Sequence, residues 1–221
     1  MELALLITGA VTIAFLHTLL GPDHYLPFIV LSKARNWKLK KTLFWTLICG
    51  IGHLLSSVVL AILAIFLTIN FLQIDVIEGF RGDITAWFLM VFGLVYAVIG
   101  LREIFASKNS FFHSHAGHLH HHKKANTNIT LWALFIIFVF GPCEPLIPLV
   151  IYPALSGDWI SAVLVSVIFS FVTLVTMLGI VLISYGGFKK LSFLNKYQKY
   201  FNFIAGIIIL LCGFAIKYLG L

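Results

Sequence analysis

Apolar residues run far enough to cross a lipid bilayer at six places in this chain, roughly 3–32, 42–71, 84–106, 129–155, 159–185 and 201–220. A hydrocarbon layer of about 30 Å takes about 20 helical residues, so every run is long enough. Backbone amides in lipid must pair within their own segment or around a closed barrel, and these Leu, Ile, Phe and Val runs lack the period-two alternation of barrel strands. The sequence therefore describes an all-α polytopic membrane protein of six transmembrane helices, with the lipid bilayer as its solvent. Composition agrees, because 61% of the 221 residues are hydrophobic and 10% charged, far from the balance of a soluble domain.

Lysine and arginine concentrate in short cytoplasmic loops, which orients such a bundle. Lys33, Arg35, Lys38, Lys40 and Lys41 fall in the first loop, Arg102, Lys108, Lys123 and Lys124 in the third, and Lys189, Lys190, Lys196 and Lys199 in the fifth. Only Arg81 and Lys217 fall on the other side, so both termini are expected outside the cytoplasm in a multi-pass protein of the cell membrane. The formal charge of +7 is spread over three loops and so reflects topology; no nucleic acid partner is expected. The N-terminus has no basic n-region and its first apolar run outlasts an h-region, so the first helix is expected to stay. Cys49, Cys143 and Cys212 sit apart in apolar segments and imply no disulfide framework.

The two halves resemble each other. Gly21-Pro22-Asp23-His24 is followed by Pro27 and Trp37, and Gly141-Pro142-Cys143-Glu144 by Pro145, Pro148 and Trp159; Gly93 and Gly100 are answered at the same spacing by Gly206 and Gly213. Three helices per unit is an odd number, so the second unit must enter the membrane inverted, and such repeats place their sites where the units meet. A single transmembrane domain follows, with repeat one at about 1–106, a histidine-rich loop at about 107–128 and repeat two at about 129–221.

Ionisable groups at membrane depth are expensive, about 2.5–3.5 kcal/mol each on insertion scales, so each is a candidate for function. Glu2, Asp75, Glu78, Asp83, Glu103 and Asp158 are placed at helix ends or in loops, which leaves Asp23 and Glu144 within spans, each after a Gly-Pro pair. Six histidines belong to the loop; the other three are His17, His24 and His53. Seven residues of regular helix would part His17 from His24 by about 10.5 Å along the axis. Gly21-Pro22 can interrupt the helix and fold Asp23 and His24 back towards His17, and Gly141-Pro142 can do the same for Cys143 and Glu144. Imidazole, carboxylate and thiol so gathered are donors for a divalent transition-metal ion, and the site expected is His17, Asp23, His24 and His53, assisted by Cys143 and Glu144. Ser56, Ser57, Thr173 and Thr176 are assigned only bonds to carbonyls one turn back.

The run from His17 through Gly21-Pro22 to Asp23-His24 resembles the signature of the nickel/cobalt transporter superfamily, and Gly52-His53 on the next helix matches its subgroup of urease-accessory-type membrane proteins. The resemblance covers roughly 12–57 and the six-helix plan. It implies a transporter of Ni²⁺ or Co²⁺, with Zn²⁺ as a further candidate cargo, no catalysis, and a metallochaperone or metalloenzyme-maturation factor as candidate partner. His113, His115, His118, His120, His121 and His122 of the third loop would then capture ions on the cytoplasmic side. The second half is also similar to the membrane thiol–disulfide conveyors of cytochrome c maturation, which carry Pro-Cys motifs in both repeats. That reading is the alternative, set second because the position matching Cys143 in repeat one is Asp23 and no resolving thiol is evident.

Overall fold

The computed structural model describes residues 2–67, 71–109, 127–141, 143, 145–190 and 198–219. Their order is α1 (Glu2–Leu20), a 3-10 turn (Pro22–His24), α2 (Leu26–Ala34), α3 (Leu39–Phe66), α4 (Phe71–Asn109), α5 (Thr127–Phe140), α6 (Leu146–Leu155), α7 (Trp159–Lys190) and α8 (Phe201–Leu219), with no strand among the described residues. Among the described residues five helices are long and apolar enough to cross a membrane, and two shorter apolar helices, Ile129–Phe140 and Leu146–Leu155, follow one another in the chain on either side of the second Gly-Pro pair. Large apolar side chains such as Leu5, Phe66, Ile160 and Ile183 stand outward and exposed. In water they would be a liability, but against acyl chains they are the wetted face.

Without a hydrophobic drive in lipid, helices associate through close van der Waals packing, and small residues permit it. The seam between α4 and α8 is the clearest case. A Cβ placed on Gly93 would come 2.4 Å from the backbone nitrogen of Leu210, and one on Gly206 would come 2.2 Å from that of Ala97. Gly100 lies against Phe203 and Gly213 against Met90, so the partner number falls as the α4 number rises and the helices run antiparallel. A shift of 113 residues, the separation of Gly93 from Gly206, turns the pair Ala97–Gly206 into Leu210–Gly93 and the pair Gly100–Phe203 into Gly213–Met90. The seam therefore maps onto itself when the halves are exchanged, as inverted repeats related by a two-fold axis must. Lys217 pairs with Asp83 at 2.6 Å towards one end, and the Asn202 amide donates to Glu103 at 2.6 Å towards the other. Elsewhere α1 lies on α7 and α5 on α3, again as exchanged partners.

Two placements differ from the sequence reading. The third span was set at 84–106, but α4 begins at Phe71, so Glu78 and Arg81 are inside the helix rather than at its end, and Glu78 is buried. Hydropathy alone ends a span at the first charges, whereas a carboxylate and a guanidinium one turn apart can enter together as a pair. Of the hydroxyls assigned to carbonyls, Ser56 bonds His53 and Thr176 bonds Val172, while those of Ser57 and Thr173 are buried without a hydrogen-bond partner among the described residues.

Candidate functional site

The interruption in repeat one arises locally. The Gly21 amide still closes the last turn on His17 O at 2.9 Å, but Pro22 offers no N–H, and the chain tightens into the 3-10 turn with the His24 amide on Gly21 O at 3.1 Å. The carbonyl of Leu19, left over at the end of α1, accepts from the Tyr25 hydroxyl at 3.1 Å. The fold-back sets the His24 ring edge-on to His17 with centroids 4.9 Å apart, and on its other side edge-on to His53 of α3 at 5.2 Å. His24 Nδ1–H lies 3.2 Å from both Gly21 O and Asp23 Oδ1. Glycine is needed at 21, because a Cβ there would sit 2.7 Å from His24 Nδ1.

The interruption in repeat two is held differently. The Gly141 amide bonds Phe138 O at 3.0 Å and the Leu146 amide bonds Cys143 O at 3.1 Å, while α6 starts after Pro145. His53 Nδ1–H donates to Phe138 O at 3.2 Å, and a Cβ on Gly141 would come 3.0 Å from that nitrogen. From α4, Arg81 reaches across to donate to Gly141 O at 3.0 Å, Val139 O at 3.3 Å and Ser56 Oγ at 2.9 Å, and it pairs with Glu78. An interrupted helix leaves carbonyls that lipid cannot satisfy, and Arg81 answers them. Sequence reasoning missed this residue. The usable signal was a basic side chain three residues from an acid, next to a long apolar run.

Of the residues expected to form a site, His17, Asp23, His24 and His53 come together. Cys143 is fully buried in the second interruption. Pro142, Glu144 and the six loop histidines lie outside the described residues. Cys49 and Cys212 belong to one apolar cluster and Cys143 to another, and all three are free thiols. Among the described residues, no three His, Cys, Asp or Glu side chains are arranged to hold a metal ion.

The family of the cytochrome c biogenesis protein transmembrane region matches residues 24–215, from the end of the first interruption through the second and into α8, and the chain belongs to that family. Comparison with curated proteins and with solved structures found no match. Membership corrects the resemblance to the nickel/cobalt transporter superfamily and with it the reading as a transporter of divalent transition-metal ions. That resemblance rested on roughly 12–57, where a broken helix carrying imidazoles looks alike for different purposes. The nickel, cobalt or zinc cargo and the metallochaperone partner have no support once it is withdrawn.

Proposed function

We propose that the protein serves cytochrome c biogenesis by passing reducing equivalents through thiol–disulfide exchange in the membrane, with Cys143 as the exchanging thiol. The observation that carries this reading is the family match over residues 24–215, joined to the place of Cys143 at an interrupted helix. Exchange begins when the Cys143 thiolate attacks a disulfide of the target protein; that S–S bond breaks, a mixed disulfide forms and one target sulfur leaves as a thiolate. A thiolate of a reducing dithiol protein then attacks the Cys143 sulfur and frees the second target thiol. The dithiol's other sulfur displaces Cys143, so two electrons and two protons have passed from dithiol to target. The resolving thiol is assigned to the partner because Cys49 and Cys212 pack in a different apolar cluster from Cys143.

Cys143 is 0% exposed, so the segment around Gly141 and Pro145 must open for a partner to reach it. An interruption already free of continuous helical bonding can do so at lower cost than an intact turn. The distribution of Lys and Arg supports placing the loop at about 107–128 in the cytoplasm and both ends outside.

The test is complementation in cells deleted for their own copy, reading c-type cytochromes by covalently attached haem. Cys143→Ser should lose maturation at matched membrane levels, while Cys49→Ser and Cys212→Ser keep it. Wild-type cytochrome levels with Cys143→Ser would end this reading.

A further inference from the structure

Asp23, His24, His53 and Thr85 line one small void together with Gly141, Phe138 and apolar side chains of α4, α5 and α8. The hydrogen bonds of the imidazoles settle which nitrogen carries the proton. Gly21 O and Phe138 O can only accept, so His24 and His53 must each hold a hydrogen on Nδ1. A neutral ring protonated there presents a lone pair at Nε2. Among the described residues both Nε2 atoms are buried without a hydrogen-bond partner, as are the Thr85 hydroxyl and the Nε2 of the neighbouring His17. His24, His53 and Thr85 are 3%, 4% and 5% exposed, so bulk water does not supply what is missing. Both rings line the same pocket, and neither acceptor receives a hydrogen from the described residues.

We propose that the void binds one neutral hydrogen-bond donor of the size of water. It gives one hydrogen to His24 Nε2 and the other to His53 Nε2, and accepts the hydroxyl hydrogen of Thr85. The space is about 10 Å³, which suits a single molecule, and three bonds is the usual number for a buried water. Occupied in this way, Gly21, His24, the bridging molecule, His53 and Phe138 form one continuous hydrogen-bonded line between the two interruptions. The site goes beyond the thiol reading and does not depend on it.

The experiment is NMR on the purified full-length protein, labelled with ¹⁵N-histidine, in detergent. Two imidazoles should be neutral with the proton on Nδ1, their Nε2 signals moved from the free-acceptor position by a hydrogen bond, with cross-peaks to one slowly exchanging water. Thr85→Val, which keeps the size of the side chain and removes the hydroxyl, should shift both Nε2 signals and leave the tautomers unchanged. Either ring with its proton on Nε2 or doubly protonated, or the absence of a water cross-peak in the folded wild type, would overturn the proposal. So would one transition-metal ion per chain by elemental analysis of the same sample.

Discussion

Arg81 offers the sharpest energetic test, because its guanidinium joins the buried carboxylate of Glu78 to three neutral acceptors on two other segments. Arg81→Met leaves Glu78, 3% exposed, without this partner in a low-dielectric interior, and strips Gly141 O and Val139 O of their donor. Breaking a buried pair from one side costs about 3–5 kcal/mol. Removing both charges, as Arg81→Met with Glu78→Leu, leaves chiefly the two carbonyls uncompensated, and the loss should fall to about 1–3 kcal/mol. The two single losses should therefore exceed the double by well over about 1 kcal/mol, the mark of directly coupled groups. Equilibrium unfolding in mixed micelles titrated with a denaturing detergent reads all four corners of the cycle. A loss below about 1 kcal/mol for Arg81→Met, or a double variant as unstable as the sum of the singles, would refute the capping role.

The α4–α8 seam and an open helical glycine should respond with opposite signs. Gly206→Ala, whose Cβ would meet the Ala97 backbone at 2.2 Å, should cost about 1–3 kcal/mol, whereas Gly179→Ala, with nothing within 4 Å, should gain about 0.5–1 kcal/mol in the same unfolding assay. Asp158 caps α7 by accepting from the Ser161 amide at 3.1 Å and hydroxyl at 2.5 Å, which hold its carboxyl below its ordinary 3.8. A depressed folded value means stabilisation present above about pH 4 and lost as pH falls through that lower value, so Asp158→Ala should lower Tm at neutral pH and converge with the wild type in acid. Impermeant thiol labelling of Ser110→Cys in intact cells checks the orientation, and ready labelling from outside would reverse it.

Apolar run length made the membrane and the helical class readable without coordinates, because lipid leaves the backbone so few options. The four glycines at 93, 100, 206 and 213 were legible as a repeat, but that they face one another across a two-fold seam needed the structure, since spacing does not say what a small residue packs against. Glu78 and Arg81 were misread as lying beyond the start of the third span because part of their compensation is on other segments, at Ser56, Val139 and Gly141. The first interruption drew the transporter reading because imidazoles beside a carboxylate look like ligands in sequence. Their Nδ1 hydrogen bonds to Gly21 and Phe138 are invisible there. Cys143 was seen but set second, because a lone cysteine in sequence does not show where a resolving thiol comes from.

The most direct measurement of the central claim is the chemistry of that thiol. The purified protein in detergent is treated with a disulfide-bearing peptide, quenched with an alkylating reagent and mapped by mass spectrometry. The account expects a mixed disulfide on Cys143, with Cys49 and Cys212 alkylated only after denaturation, and return of the Cys143 thiol on adding a dithiol. A Cys143 that stays unreacted in the folded protein but reacts once unfolded would contradict it.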